Sequence, residues 1–157
     1  MATVLLTGMS GTGKSTVLTE LARRGHAVLD TDHGGWTSEV RAADGSVDHR
    51  WDEHRMTALL GRERAGDLFV SGCVSNQGRF SDRFDAVVLL SAPVDVLLSR
   101  LATRTTNGYG RDPAELERVL GDLDAVEPLL RRAATAELDT RRPVAELADA
   151  VEALARR

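Results

Sequence analysis

Short apolar runs alternate along the chain with longer stretches of helical periodicity. The apolar runs do not alternate with polar residues, which is typical of parallel strands covered on both faces. Strand and helix patterns in turn predict an α/β fold, with helices on both faces of an open, mostly parallel sheet. The apolar runs lie at 3–7, 27–29, 68–70 and 86–90, and a last strand is predicted at 135–138; the helical stretches lie at 15–22, 50–65, 93–103, 113–133 and from Pro143 onward. The polar stretch 30–49 is predicted to be a loop or a short irregular helix.

Composition narrows the class of protein. A length of 157 residues fits one domain spanning 1–157, and no stretch approaches the roughly 20 apolar residues of a membrane span. The net charge of −4 argues against a dedicated nucleic-acid binder. The single cysteine, Cys73, excludes a disulfide framework, and residues 1–7 are typical of a strand rather than a signal peptide. We therefore expect a cytoplasmic protein with no membrane or nucleic-acid partner, acting as a monomer or homodimer.

The basic residues are distributed unevenly between arginine and lysine. Of the 20 basic side chains, 19 are arginine, and Lys14 is the single lysine. Arginine cannot replace lysine at a tight phosphate site, because its guanidinium is larger, planar and forked. The one lysine therefore marks a position where the chemistry requires it.

The segment from Gly8 to Ser15 matches the phosphate-binding loop G-x-x-x-x-G-K-[ST]. Its glycines allow a tight turn that aims backbone N–H groups at phosphate oxygens, and the following helix adds its positive dipole end. Lys14 is predicted to neutralise the β- and γ-phosphates, and the Ser15 hydroxyl to ligate Mg²⁺. The cofactors are thus predicted to be ATP and Mg²⁺, held by Gly8, Ser10, Gly11, Thr12, Gly13, Lys14, Ser15 and Thr16.

Two carboxylates, Asp30 and Asp32, follow the second apolar run. On an extended segment, residues i and i+2 point the same way, and the carboxyl end of a parallel strand faces the ligand crevice. One carboxylate can hold Mg²⁺ and the other can accept a proton from an attacking hydroxyl. The alternative is an Asx turn that simply closes the strand.

Together with an arginine-bearing segment after the fourth strand, these motifs resemble the shikimate kinase group of the nucleoside monophosphate kinase-like superfamily. The resemblance covers nearly the whole chain and implies a three-layer α/β/α P-loop kinase fold, with five parallel strands in the order 2-3-1-4-5. It implies that Asp30 assists Mg²⁺ and that Asp32 contacts the acceptor hydroxyl. In that family an arginine opening the next helix grips the acceptor's carboxylate, and Arg50 occupies a comparable place.

The resemblance also implies a short lid at about 104–112, whose Arg104 and Arg111 close over the transferring phosphoryl group. Arg131 resembles the family's second acceptor-binding arginine, although helix-surface charge explains it equally well. The segment 140–143 resembles the loop that packs against adenine, which would place Arg142 over the base.

The sequence departs from the family after the third strand, where shikimate kinases carry three glycines against the substrate. Only Gly72 matches, and the side chains that follow include Asn76, so hydrogen-bonding groups stand where the family has bare backbone. That difference favours another acceptor. Trp36 has two equally weighted interpretations, which are stacking on a base or sugar face and anchoring its loop to the core.

These features predict an ATP-dependent phosphotransferase acting on a small-molecule acceptor, most simply a hydroxyl of a shikimate-, sugar- or nucleoside-like metabolite. A nucleoside monophosphate kinase is the nearest alternative, because an ionised phosphate needs arginines more than a base. A non-transferring, ATP-binding regulatory module is a further alternative.

Overall fold

A computed structural model of the chain describes residues 1–9, 11–103 and 112–157. Its strands are β1 (Thr3–Thr7), β2 (Ala27–Asp30), β3 (Thr37–Arg41), β4 (Val47–Trp51), β5 (Leu68–Ser71), β6 (Ala86–Ser91) and β7 (Ala136–Asp139). Five of them form one parallel sheet in the order β2-β5-β1-β6-β7. Counted within that sheet alone, the order is 2-3-1-4-5, so the predicted topology is confirmed.

Helices cover both faces of this sheet. They are α1 (Lys14–Arg23), α2 (Glu53–Leu60), α3 (Val94–Thr103), α4 (Pro113–Ala125), α5 (Glu127–Ala133) and α6 (Val144–Ala155), with a 3-10 segment at Gln77–Arg83. None of the helices in the described residues is both long and apolar enough to cross a membrane.

Successive residues of the central strand β1 belong to different apolar clusters, one on each face of the sheet. Leu6 packs with residues of α1 and α6, whereas Leu5 packs with α2 and with the 3-10 segment. Because both clusters are buried, successive residues in the middle of β1 are apolar, which explains the continuous run there in the sequence.

The polar stretch after β2 was predicted wrongly as a loop or irregular helix. Strands β3 and β4 pair antiparallel to form a hairpin, with Thr37 opposite Trp51 and Arg41 opposite Val47. Most hairpin side chains are exposed and only Trp51 is buried, so the stretch lacks the apolar alternation that marks a half-buried strand.

Two helix boundaries also differ from the prediction. The helix expected from residue 50 begins at Glu53, because Trp51 still belongs to β4 and the Asp52 side chain caps the helix by accepting from the Arg55 N–H. The long helix expected over 113–133 is divided into α4 and α5, with Val126 between them. Pro128 lies in the first turn of α5, where proline is tolerated, and it cannot continue the preceding helix.

Candidate active site

The phosphate-binding loop connects the carboxyl end of β1 to the start of α1. Gly8, Gly11 and Gly13 have φ of 151°, 84° and 98°, in the region that favours glycine. A Cβ on Gly8 would lie 2.4 Å from the Leu90 backbone oxygen. The loop therefore requires glycine at its first position on both steric and conformational grounds.

Lys14 folds back over this loop. Its Nζ donates to the carbonyl oxygens of Gly8 at 2.5 Å and Met9 at 3.1 Å. Inside the loop, buried Thr12 donates its hydroxyl to the same Met9 oxygen at 2.8 Å. Ser15 and Thr16 are exposed in the first turn of α1, where helix N–H groups have no intrahelical partner. Ser10 lies outside the described residues.

The loop fits a triphosphate on structural grounds. Left-handed glycines, the N-terminus of a ten-residue helix and an ammonium group converge at one edge of the sheet. Backbone donors, a helix dipole and a cation are the groups that phosphate binding requires. Ser15 is placed in the same helical turn as Lys14, where its hydroxyl could serve as a Mg²⁺ ligand.

The Asp30–Asp32 segment is a turn rather than an extended strand, which corrects the sequence argument about its two carboxylates. Asp30 is the last residue of β2, its carbonyl accepts from the His33 N–H at 3.3 Å, and its carboxylate accepts from the Asp32 N–H at 3.0 Å. This is the Asx turn that the sequence left open. It leaves the Asp32 side chain exposed, while the Asp30 side chain keeps 25% exposure.

The turn and the phosphate loop lie at the same edge of the sheet. Asp30 is paired in register with Ser71, and the Gly72 N–H donates to the Leu6 oxygen at 3.1 Å. Only β5 separates β2 from β1, so the two strand ends are two interstrand spacings, about 10 Å, apart. Asp32 and Lys14 therefore both follow strand ends at the carboxyl edge of the sheet, where open α/β folds form their ligand crevice.

Residue 72, which follows β5 at this edge of the sheet, must be glycine for a steric reason. A Cβ there would lie 2.3 Å from the Thr31 hydroxyl oxygen and 3.2 Å from the Trp51 ring. Thr31 is fully buried and donates its hydroxyl to the Ser71 oxygen at 2.8 Å, so it has no room to retreat. The glycine that matches the family pattern is thus required by local packing.

The polar side chains after Gly72 are engaged within the protein. Asn76 accepts from the Trp51 N–H at 2.9 Å and donates to the Trp51 oxygen at 3.1 Å and to Glu53 at 3.2 Å. Ser75 donates to Asp48, and Gln77 bridges the Val74 N–H and the Thr7 hydroxyl. These contacts give Asn76 the role of fixing the hairpin to the sheet, and an acceptor contact by Asn76 would have to break them.

Replacing Asn76 by alanine is expected to lower the free energy of unfolding by about 1–3 kcal/mol, because it leaves both Trp51 backbone groups without these partners. Urea unfolding measures this loss. Ser75→Ala, which removes one exposed bond to Asp48, is the matched control and should change stability by less than about 1 kcal/mol. Equal losses in the two variants would contradict the assignment of Asn76 as the fixing residue.

The arginine that opens the next helix is Arg55, not Arg50. Arg50 lies in β4, and its guanidinium pairs with Asp48 at 2.7 Å. Arg55 lies in the first turn of α2 and donates to the Gly34 oxygen at 2.8 Å. The predicted position of Arg50 at the start of a helix is wrong because the hairpin that carries it was not foreseen, and its contact with an acceptor stays a prediction.

Trp36 serves as a platform for Arg55. The guanidinium carbon of Arg55 lies 4.0 Å from the centre of the Trp36 ring, an attractive cation–π arrangement. Trp36 also packs, partly buried, against the apolar cluster around Trp51 and Met56. This geometry favours the anchoring interpretation, and stacking on a ligand remains a prediction.

The structure does not bring Arg131 to the Asp32 side of the crevice. Its guanidinium pairs with Glu137 at 2.8 Å and Glu127 at 3.1 Å, and these carboxylates, Glu137 first, raise its pKa. Glu137 lies on β7, the edge strand opposite β2, which is four interstrand spacings or about 19 Å away. Its contacts match the alternative of helix-surface charge.

Arg142 follows β7 on the loop predicted to face the base. Its side chain is half-exposed and lies 3.6 Å from Glu146, one helical turn away. Arg104 and Arg111, with the rest of the predicted lid up to residue 111, lie outside the described residues.

Sequence motifs assigned no role in the site to two residues that lie beside the phosphate loop, Cys73 and Arg100. Cys73 lies beside Thr7 and the Gly8 backbone; burial raises the pKa of its thiol, while nearby Lys14 works in the opposite direction. Arg100 on α3 donates to the backbone of the phosphate loop. Neither had a motif to reveal it, because the phosphate-loop residues that each of them contacts lie more than 50 residues away along the chain.

A parallel sheet in this order, with Lys14 and Ser15 following its central strand, defines the P-loop kinase fold. Residues 4–121 match the AAA_18 family, described as AAA domain, and the chain belongs to that family. Comparison with curated proteins gives no match.

Solved structures of small-molecule kinases share this fold, which confirms the resemblance drawn from the sequence. Shikimate kinase from Acinetobacter baumannii, in complex with shikimate, is 23% identical with a TM-score of 0.67, over 98% of this chain and 92% of that one. A gluconokinase from Sinorhizobium meliloti 1021 is 23% identical with a TM-score of 0.66, over 99% and 92%. A sugar kinase from Janibacter sp. HTCC2649 is 17% identical with a TM-score of 0.56, over 98% and 94%.

Proposed function

We propose that this protein is an ATP-dependent phosphotransferase that acts on a hydroxyl group of a small-molecule acceptor. The observation that carries the proposal is the pairing, across one crevice, of a phosphate-binding loop with an exposed carboxylate. Lys14 lies on the loop and Asp32 at the end of β2, with one strand between them. The kinases that share the fold support the general class of reaction.

The two sides of the crevice contribute different groups to the proposed reaction. When bound, Mg-ATP supplies the phosphoryl group and a metal that neutralises its charge. Lys14 and the loop N–H groups would hold the phosphates, and Ser15 and Asp30 would hold the metal. Asp32 would accept the proton of the acceptor hydroxyl, whose oxygen would bond to the γ-phosphorus as the bond to the β–γ bridging oxygen breaks and ADP leaves. Arg104 and Arg111 are proposed to close over the transferring group.

The acceptor side of the crevice is where specificity is proposed to arise. Gly72 packs closely under Thr31 and Trp51, Arg55 lies over the Trp36 ring, and Asn76 fixes the β3–β4 hairpin beside them. Arg55 replaces Arg50 as the proposed grip on a negatively charged group of the acceptor, because it opens α2 and is not paired with Asp48.

The test is ADP release from Mg-ATP against a panel of shikimate, gluconate, nucleosides and nucleoside monophosphates. We expect turnover with one hydroxyl acceptor, and Asp32→Asn should lower its kcat by at least about 100-fold through loss of the base. This substitution spares the turn, because the turn uses the backbone N–H of Asp32 and the side chain of Asp30.

Asp44→Asn is the matched control for the loss of a carboxylate. Asp44 is exposed, as Asp32 is. Its carboxylate accepts from the Ser46 N–H, and it lies in the hairpin turn, away from β2. The activity of the Asp44→Asn variant should equal that of the wild type. Turnover of a monophosphate that survives Asp32→Asn would instead assign the protein to the nucleotide kinases, and ATP binding without turnover on any acceptor would favour the regulatory module.

A further inference from the structure

The guanidinium of Arg100 connects two loops, each of which lies 40 residues or more from Arg100 in the sequence. On one side its NH1 group donates to the carbonyl oxygens of Gly11 at 3.2 Å and Thr12 at 3.3 Å. On the other side it donates to the Thr140 hydroxyl at 2.8 Å and, through NH2, to the Thr140 carbonyl at 2.7 Å. One side chain thus joins the phosphate loop to the segment after β7.

The contact with the phosphate loop lies on its carbonyl side. In a planar trans peptide the C=O and the N–H point in opposite directions. Holding the Thr12 oxygen therefore aims the Gly13 N–H away from Arg100, and the positive charge polarises that peptide toward stronger donation. Leu101 of the same helix supports Gly11 from behind, with its Cγ 3.4 Å from where a Gly11 Cβ would stand.

The contact with Thr140 fixes the other loop at its root. Thr140 is 5% exposed, and its N–H donates to the Ser91 oxygen at 2.9 Å, so the segment continues the β6–β7 ladder for one more residue. Arg142 follows two residues later, on the side predicted to face the base. A displacement of Thr140 would therefore move the base-facing loop relative to the phosphate loop.

We propose that Arg100 is a positioning residue that sets the distance between the base-binding and phosphate-binding parts of the nucleotide site. Its four bonds go to neutral oxygens of the two loops, so its function is to hold them in register. The base and the triphosphate of one nucleotide can then be bound at the same time. This inference rests on the proposed function, since it concerns the same ATP site.

The experiment compares the dissociation constants of Mg-ATP and Mg-tripolyphosphate, measured by calorimetry on the full chain. Their ratio reports the gain from the base, because both carry the same chain of phosphates. We expect Arg100→Gln to reduce the wild-type preference for Mg-ATP at least about tenfold, while tripolyphosphate binding changes less. The preference of Arg100→Lys for Mg-ATP should lie between those of the wild type and Arg100→Gln, because a single ammonium cannot reach all four oxygens.

Two further variants separate positioning from a general loss of structure. Arg83→Gln, at an exposed arginine that ends the 3-10 segment, should preserve both affinities. Thr140→Val removes only the hydroxyl contacts and should reduce the preference for ATP in the same direction but less. It keeps the buried backbone bonds of the loop, so it remains informative if Arg100→Gln does not fold.

The results that would overturn the inference are distinct from a failure of the proposed function. Equal weakening of both ligands by Arg100→Gln, an unchanged preference in Thr140→Val, or a wild type that binds both ligands equally would each show that Arg100 does not couple the loops. Absence of Lys14-dependent Mg-ATP binding by the wild type would refute the proposed function itself, and the inference with it.

Discussion

Acceptor-dependent ADP release is expected to fall at least about 100-fold when Lys14 is replaced by alanine. Electrostatic donors aimed at the charge that develops in a transition state contribute about 10²–10³ each in mutational experiments. Lys14 Nζ lies 2.5 Å from the Gly8 oxygen, so the ammonium already stands over the loop that is proposed to hold the phosphates. The assay is the same ADP-release measurement, at saturating acceptor and varied Mg-ATP.

Lys14→Arg is the informative control, because it keeps the charge and changes only its shape. A planar, forked guanidinium cannot take the place of a compact ammonium in the confined loop, and we expect a large loss of activity there as well. Thermal unfolding of both variants should stay close to that of the wild type, since the two Lys14 bonds are only partly buried, water can replace them, and the Met9 oxygen keeps the Thr12 hydroxyl as a donor. Retention of more than about a tenth of the activity in Lys14→Ala would refute a catalytic role.

The sheet could be predicted from the sequence because its signal is local. The three inner strands of the parallel sheet, β5, β1 and β6, are apolar runs, and each run reflects burial on both faces of the sheet. The phosphate loop is equally local, because a single continuous segment supplies its glycines, its lysine and its helix. The sheet and the phosphate loop could therefore both be predicted from the sequence alone.

The hairpin and the residues that depend on it could not be predicted in the same way. Strands β3 and β4 expose most of their side chains, so no periodicity marks them. The hairpin is held by side chains such as Asn76, which bonds to Trp51 across 25 positions of sequence. Such a contact converts an apparent ligand-binding residue into a structural one, and only the folded arrangement reveals it.

The roles of the arginines could not be predicted from the sequence either. Sequence position suggested Arg50 and Arg131 for the acceptor, but each is paired with carboxylates that the fold brings to it. Arg55 and Arg100 carried no motif, yet one opens α2 beside the crevice and the other bonds to the phosphate loop. In a chain whose cations are nearly all arginine, residue type alone does not distinguish a ligand-binding guanidinium from a surface one.

Replacing Gly8 by alanine is expected to disable the nucleotide site and to lower the free energy of unfolding by about 1–3 kcal/mol, the usual range for overpacking. The new Cβ would lie 2.4 Å from the Leu90 backbone oxygen and 2.9 Å from the Thr12 hydroxyl oxygen. Leu90 is fully buried in β6, which is paired on both sides within the sheet, so its backbone cannot yield and the loop must move instead. Mg-ATP calorimetry and urea unfolding measure the two effects.

Gly121→Ala provides the matched control, because it makes the same chemical change where there is space. Nothing lies within 4 Å of a Cβ at Gly121, which lies inside α4, and alanine should stabilise that helix by up to about 1 kcal/mol. Opposite signs at the two glycines would show that the loss at Gly8 arises from its backbone conformation and its contact with Leu90, not from adding a methyl group as such. If Gly8→Ala bound Mg-ATP with wild-type affinity, the loop would have to tolerate a displaced β1–α1 connection, and the close approach to β6 would not be what shapes the phosphate site.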